Sequence, residues 1–455
     1  MRPMNDAITI EHHLTSFQVT KEPESVPTLS GKKLVLTRGS LYLPEDRTCP
    51  HCSGYLDVHQ HHEVSLQHLP LFTKTHMLKI DRVRLKCRCC GYMEYQKIPF
   101  KASRHRITGY LKAYIMKYLS QGYTLKEVSQ ILDVNPSVVK TIDKERLEFK
   151  FRGRAPEYYS KHIGIDEFLL HKRHRYATVV IDLDTGDVLF CEEGKKKEQV
   201  YHFFEQMGCD WMSHVRAVAM DMNAQYDSAF REKAPHVKIV YDLFHVVKLY
   251  NDKVLTAMRR RKQRELKEAG DTAGYQLFKG SRFLLTSNRS TLQERDAQAQ
   301  QNNQQLYEAY ESKGLSLPPG ARRIKADREK RLDDLLSVNT DFCAAYILLE
   351  QLKMAFKQSS RSSLESGMKQ WIKLAKQSGV EEIRSYTATI ESHLVGILNH
   401  ADCPVSNGKL EGTNNLIKTI RRKSYGIPDT QYFFLKIMEA SRRPYRQYKS
   451  HKKLC

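Results

Sequence analysis

Apolar residues recur along this chain in two rhythms, and the switches between them divide it. Between 41 and 100, stretches such as HMLKIDRVRLKC alternate apolar and polar positions, the period of a half-buried strand. Residues 104–150 change to helical spacing and predict three helices. From 160 to 242 the runs HIGIDEF, RYATVVIDLDTGDVLF, VRAVAMD and VKIVYD predict strands. KKEQVYHFFEQM and NAQYDSAFREKA predict the helices between them, so this region is an α/β layer. The DTG at 184–186, with Asp182, Asp184 and Asp187 around it, marks a hairpin turn. From 243 to about 400 the spacing is helical, with FCAAYILLEQLKMAF as a buried helix and the polar stretch 286–330 as loops or an exposed helix. Further helices are expected at 409–422, opened by Ser406 or Asn407 as a cap, and at 429–441. The first 40 residues, mixed in polarity, predict an irregular or short-stranded lead-in, and the last ten are a basic tail. No internal repeat is visible.

Composition narrows the choice of partner. The chain has 455 residues, 40% of them hydrophobic, enough for two to four units with real cores. Its 74 Lys and Arg against 52 Asp and Glu leave a net charge of +22, which calls for a polyanion: nucleic acid first, an anionic membrane surface second. No run approaches the roughly 18 apolar residues of a membrane helix, and MRPMNDAITIEHH lacks the apolar core of a secretory signal. A cytoplasmic protein, nucleoid-associated when on DNA, is expected. In a reducing compartment ten cysteines do not imply a disulfide framework.

Five of those cysteines fall together, in Cys49-Pro-His-Cys52 and Cys87-Arg-Cys-Cys90-Gly. Paired CxxC knuckles converge four thiolates on one tetrahedral ion, so Cys49, Cys52, Cys87 and Cys90 are the candidate ligands of a structural Zn²⁺. Cys89 could replace a neighbour, His51 is close by, and a metal-free cluster of buried thiols is the plainer alternative. Downstream, YTLKEVSQILDVNPSVVKTIDKE has Thr124 and Glu127 spaced as a capping box, a break at DVNP, and Pro136 opening a second helix. Two helices with so short a turn match a helix-turn-helix. Val128, Ile131, Leu132, Val134, Val138, Val139 and Ile142 would close its core, leaving Ser137, Lys140, Thr141 and Lys144 to face a DNA groove. Any small helical hairpin needs the same apolar pattern; the basic charge favours DNA.

Asp166 and Asp221 each end an apolar strand, and acids at the ends of adjacent parallel strands face out at one edge of a sheet. With no cation beside them in sequence they would repel each other unless a hard divalent ion, Mg²⁺ or Mn²⁺, lay between. Glu411, a lone acid among Lys409, Lys418, Arg421, Arg422 and Lys423, could complete the set. Each acid alone would read as a solvated side chain; the three together suit metal-assisted phosphodiester chemistry. On a helix Asn415, Lys418 and Arg422 share a face with Glu411 and, with Lys409 and Arg421, could hold phosphates. In VYDLFHVVKLYND, Asp242 and His245 at i+3 are secondary candidates, or a cap and a packed histidine.

With these residues in view, the chain resembles the DDE transposases of bacterial insertion sequences, and among them the ISL-three family. IGIDEF resembles the strand carrying the first acid (Asp166), AVAMDMNAQY the second (Asp221), YDLFHVVK the D-x-x-H segment, and SNGKLEGTNNLIKTIRRKSYGI the segment that delivers Glu411. AAYILLEQL and WIKLAKQSGVEEI look like the family's helical insertion. The resemblance runs from about 45 to 445. It implies a zinc ribbon, a helix-turn-helix, and an α/β RNase H-like (retroviral-integrase-like) catalytic core with a large helical insertion. The matching division is 1–100, 101–155 and 156–445, with core at 160–250 and 403–445 and insertion at 251–402, then a tail at 446–455. It further implies cleavage at terminal inverted repeats, joining of 3′ ends to target DNA, and a homodimer or higher oligomer on two DNA ends. Two departures are mild: Ser406-Asn407-Gly408 where members often read T-N-G, and the additional Cys89. Two other functions compete. A non-catalytic or domesticated DNA-binding regulator would need only the cysteines and the helical pair. An RNase H-like nuclease would share the acids but need no helix-turn-helix.

Overall fold

The computed structural model describes residues 14, 16–27, 33–71, 73–171, 175–316, 324–337, 339–403, 408–424 and 427–442. The chain divides into two compact units, Met1–Arg152 and Gly153–Cys455. The caps expected at Ser406 or Asn407 and the tail 446–455 lie outside the described residues.

The first unit begins with a five-stranded sheet. Its strands are β1 (Phe17–Pro27), β2 (Lys33–Leu41), β3 (Leu56–Leu71), β4 (Lys74–Cys87) and β5 (Met93–Tyr95), in the order β1-β2-β4-β3, with β5 on β4. The lead-in expected to be irregular therefore forms two strands. Val19, Val35, Leu36 and Leu41 are too sparse to announce them, yet all four are buried. In β4 the alternation is as expected: His76, Leu78 and Ile80 point inward, then Val83, Leu85 and Cys87. Leu14, Phe17, Leu66, Leu78, Ile80 and Phe100 make one core, and Leu56, Val83 and Leu85 another beside Cys49 and Cys87. The histidines buried inside are bonded, His76 to Thr37 at 2.9 Å and His68 to Thr108 at 2.8 Å, as buried polar groups must be.

Three helices follow: α1 (Gly109–Ser120), α2 (Leu125–Leu132) and α3 (Pro136–Phe151). Thr124 and Glu127 form the reciprocal capping box, Asp133 closes α2 in the left-handed conformation (φ 48°), and Asn135 caps α3 with Pro136 in its first turn. Val128, Leu132, Val134, Val139 and Ile142 close the helical core with Leu111 and Ile115. Ile131, expected inside, is 46% exposed, because it lies on the face of α2 away from the other two helices.

The second unit is built on β6 (His162–His171), β7 (Arg175–Asp182), β8 (Val188–Glu193), β9 (Ala217–Met220) and β10 (Lys238–Tyr241), in the order β10-β9-β6-β7-β8. β6, β7 and β8 form an antiparallel meander, whereas β9 runs parallel to β6, and β10 parallel to β9. Alternate residues of β6 serve opposite faces. Ile163 and Ile165 pack with Phe203, Met207 and Trp211 of α4 (Lys197–Ser213) and Tyr226 and Phe230 of α5 (Ala224–Lys233). Gly164 and Phe168 meet Leu410 of α15 (Gly408–Lys423) and Phe434 of α16 (Thr430–Ser441).

After β10 the chain leaves the sheet as α6 (Leu243–Tyr250), runs through a π turn at Asn251–Leu255, and continues as α7 (Thr256–Glu268). Among the described residues seven helices follow: α8 (Thr272–Phe278), α9 (Arg282–Thr286), α10 (Arg289–Glu311), α11 (Arg328–Ser337), α12 (Thr340–Phe356), α13 (Arg361–Gln377) and α14 (Glu381–Asp402). Tyr250, Trp371 and Tyr386 stack edge to face at 5.0–6.2 Å in their core. Each also donates to a backbone carbonyl: Tyr250 to Ala345, Trp371 to Leu348 and Tyr386 to Val246. α14 returns beside β10, where Asn399 donates to the Ile239 carbonyl at 2.9 Å and Gly396 lies against the Tyr241 ring. That return delivers α15 to the sheet. Among the described residues no helix is long and apolar enough to cross a membrane.

Candidate active site and cysteine cluster

Parallel strands that stop at the same level leave their carboxyl ends facing one space, where ligands commonly bind in α/β sheets. Asp221 directly follows β9 and Asp242 directly follows β10, its backbone N–H held by the Met220 carbonyl at 3.1 Å. Asp166 is not at the end of its strand as expected: β6 runs on to His171 in antiparallel pairing with β7. Its parallel pairing with β9, however, stops at Gly164 opposite Ala219. Asp166 therefore stands just past the lip of β9, next to Asp221. The sheet changes partner there, which no local pattern in IGIDEF signals.

These acids line one cleft of about 600 Å³, with Glu411 entering from α15. Ile165, Asp166, Asp221, Asp242, Phe244, His245, Lys248, Glu411, Asn414, Asn415 and Lys418 all border it. Contact across Gly164 sets how close α15 comes. A Cβ there would sit 2.9 Å from Leu410 Cδ1 and 3.0 Å from Leu183 Cδ2, and Leu410 is Glu411's neighbour. Gly164→Val should push α15 off the sheet, costing about 1–3 kcal/mol as an overpacked site does. A fall in the unfolding midpoint together with a loss of metal-dependent DNA cleavage checks this; unchanged cleavage would show that α15 need not sit so close.

The electrostatics of the cleft are strained. Burial pushes the Asp221 carboxyl above its ordinary range, and the Asp166 carboxylate beside it adds to that. Burial likewise raises Glu167, on the opposite face of β6. Asp166 is held at both oxygens, accepting from the Glu167 N–H at 2.7 Å and from Asn414 Nδ2 at 2.8 Å. The Asn414 Oδ1 atom is buried without a hydrogen-bond partner. Asp242 caps α6 through the Phe244 N–H at 2.9 Å, and its other oxygen bonds His245 Nδ1 at 2.7 Å. That bond raises the His245 pKa, so the imidazolium persists above the ordinary value of about 6.5. A raised pKa in the folded state means the pair's stabilisation is fully present below about pH 6.5 and is lost as pH rises through the raised value. The unfolding midpoint of the parent should thus exceed that of His245→Gln in mild acid, and the gap should shrink as pH climbs. A gap independent of pH would rule the ion pair out as its cause.

Asn414 and Lys248 are absent from the sequence-based candidate set. Their signal was available: Asn414 lies three residues from Glu411 and Lys248 three from His245, one helical turn each. Of the expected phosphate contacts, Asn415 and Lys418 border the cleft and Arg422 is exposed. Lys409 instead donates to the Asp184 carbonyl, and Arg421 lies over the Phe433 ring at 5.5 Å, half-buried. On α3, Ser137 and Thr141 are exposed and Lys140 and Lys144 half-buried. The Ser137 hydroxyl donates to Asn135 Oδ1 and that of Thr141 to the Ser137 carbonyl.

In the first unit the sulfurs of Cys49, Cys52, Cys87 and Cys90 all lie within 4.8 Å of one another. Cys49 Sγ is 3.6 Å from Cys90 Sγ, and Cys52 Sγ 3.4 Å from Cys87 Sγ. Four ligands 2.3 Å from a tetrahedral zinc would be about 3.8 Å apart, so the donor set fits that ion closely. The His51 and Cys89 N–H groups point at Cys49 Sγ and Cys87 Sγ, both at 3.4 Å. The thiols share protons unevenly: backbone N–H groups of Cys90 and Cys89 bring Cys87 down to about 6, while Cys52 is pushed up to about 12 and Cys90 upward. Cys89 lies outside the four. Gly54 is required beside them, since a Cβ there would lie 2.9 Å from Cys89 Sγ and 3.2 Å from Cys87 Sγ. Among the described residues this is the group of side chains already converged for a metal; the three carboxylates share a cleft without closing to that degree.

Comparison with known proteins agrees with this architecture. A family model for transposases of the DDE, ISL3 type matches residues 163–315 and 320–437, from β6 through α16. The transposase of insertion sequence element IS1001 from Bordetella parapertussis is 30% identical over 394 residues, covering 86% of this chain and 88% of its own. The transposase of element IS1557 from Mycobacterium tuberculosis is 24% identical over 290 residues, 60% of this chain and 58% of its own. The family match spans the sheet, the helical region and the helix carrying Glu411, and the chain belongs to the ISL3 family of DDE transposases.

Proposed function

We propose that this protein is an insertion-sequence transposase that cleaves DNA at its element's ends and joins the 3′ ends to target DNA. One observation carries the reading: Asp166, Asp221 and Glu411, from three elements far apart in sequence, border one cleft with Lys248 and Lys418. The five-stranded sheet is then an RNase H-like core, the helices from α7 to α14 an insertion, and α2–α3 a helix-turn-helix.

The three carboxylates fit a divalent ion by chemistry: hard oxygen donors, with Asp221 half-buried and destabilised as an anion by Asp166. Bound there, Mg²⁺ or Mn²⁺ would activate water or a 3′-hydroxyl and stabilise the leaving oxygen. The protein's own groups do the rest. Lys248 and Lys418 attract the phosphate into the cleft. His245, bonded to Asp242 through Nδ1, can donate from its other ring nitrogen to a phosphate oxygen when protonated, and that bond raises its pKa. Asn414 fixes one oxygen of Asp166, leaving its orientation set before substrate arrives. The four cysteines would hold a structural zinc, all four positions being filled by protein.

Purified protein given DNA carrying the element's ends should cut it only with Mg²⁺ or Mn²⁺. Cleavage that survives Asp166→Ala would remove that acid from the mechanism. Imperfect inverted repeats around the coding region, bounded by a short direct repeat, are the genomic counterpart. A DNA-binding regulator would leave the cleft and its three acids without a purpose.

A further inference from the structure

The helix that begins at the active site does not end there. Asp242 caps α6, His245 and Lys248 border the cleft, and the same rod continues through the π turn into α7, TAMRRRKQRELKE. Some of its cations are committed. Arg261 bonds Glu382 at 2.8 Å and also reaches Glu265, and Lys262 lies 3.5 Å from Glu265. Arg282, on α9, bonds Asp252 at 2.9 Å.

Arg260, Arg264 and Lys267 are different. They sit at i, i+4 and i+7, so they share one face of α7, and all three are exposed. Lys253, on the π turn between the cleft and α7, is exposed too. Among the described residues none of the four side chains has an acidic partner, although Glu265 and Glu268 are on the same helix. Like charges even crowd nearby: burial lowers the Arg259 pKa, and the Arg260 and Arg282 guanidiniums lower it further. Glu268 lies four residues from Arg264 without forming an ion pair with it among the described residues, whereas Arg261 on the neighbouring face is paired with Glu265 and with Glu382 of α14.

We infer that this face of α7 is a track for the phosphate backbone of duplex DNA leaving the catalytic cleft. The inference rests on the proposed DNA-cleaving function. From Lys253 to Lys267 the rod advances about 20 Å at 1.5 Å per residue. Along the duplex axis, at 3.4 Å per base pair, that is about six base pairs, over half a turn, so the row meets phosphates flanking a groove rather than following one strand. Duplex DNA is the occupant because exposed cations spaced along one helix suit an evenly charged rod. The helical region would then bind the DNA flank while Lys248 and Lys418 hold the reacting phosphate.

Salt dependence is the test, because each phosphate neutralised contributes about 0.9 to the slope of log K against log salt. Full-length protein would be titrated, without divalent metal, onto a labelled duplex of about 40 base pairs between about 50 and 200 mM salt. The triple variant R260Q/R264Q/K267Q should lose about 2 to 3 from the slope. R261Q, whose charge is already paired with Glu382, should lose none. R260K/R264K, keeping the charge, should retain the parent slope, which separates lost charge from lost fold. An unchanged slope in the triple variant overturns the track, and so does an equal loss in R261Q or in the lysine variant. If the parent fails to bind DNA, the track and the proposed function fall together. If the triple variant loses slope but the parent never cleaves, the track stands and the catalytic reading fails.

Discussion

Glu411→Gln should abolish metal-dependent strand cleavage and leave DNA binding in place. Glutamine keeps the size of the side chain and its position in the first turn of α15, but it cannot serve as an anionic ligand. A metal contributes several kcal/mol of transition-state stabilisation, so losing one of three ligands is expected to cost about a thousandfold in rate, at 1.36 kcal/mol per tenfold. Binding should hold because removing a negative charge beside Lys418 and Asn415 does not weaken attraction for phosphate. Cleavage timed on end-labelled DNA, alongside affinity without metal, checks both halves. Cleavage within about tenfold of the parent would mean that Glu411 borders the cleft without serving in it. Asp221→Asn should behave alike, with one difference: it removes a half-buried, destabilised anion, so the variant should unfold no more easily than the parent.

Loss of the cysteine site should act on the fold rather than on the chemistry. Structural zinc sites carry apparent binding energies of about 10–16 kcal/mol, as large as the whole stability of a typical domain, about 5–15 kcal/mol. Cys49→Ser or Cys90→Ser should therefore release one zinc per chain and unfold the end of the sheet where Leu56, Val83 and Leu85 pack around Cys49 and Cys87. Cys89→Ser should retain the metal, since its sulfur is outside the converged four. Metal content by elemental analysis, with thermal unfolding followed by circular dichroism, separates the two outcomes. Zinc lost from Cys89→Ser but kept by Cys90→Ser would exchange their roles. Full-length protein without zinc and with unchanged unfolding would reduce the cluster to buried thiols.

The two sites were legible to different degrees because they are written at different ranges. The cysteine pairs are local: CxxC spacing lets two sulfurs share one side of a turn, and only the meeting of the two knuckles needs the β3–β4 pairing. The capping box at Thr124 and Glu127 is local too, and forms as expected. β1 and β2 were not legible, because their burial comes from partners rather than from their own alternation. The orientation of Arg421 and Lys409 was equally hidden. Both are basic residues beside an expected ligand, and only Phe433 and the Asp184 carbonyl explain why they turn elsewhere.

What the sequence by itself determined is the set of chemical groups and the elements that carry them: thiols in two knuckles, acids after apolar runs, a lone glutamate among bases, and a cationic excess needing a polyanion. Those follow from covalent spacing and from the period of burial. Only the tertiary structure decided which groups meet. Asp166 reaches Asp221 because β6 loses its parallel neighbour after Gly164. Glu411 joins them because α14 returns along β10 and a glycine lets Leu410 rest on the sheet. Asn414 bonds Asp166 across 248 positions of chain, a distance that no periodicity encodes. Periodic burial specifies faces; the closing of long loops, fixed by packing between faces, specifies the site.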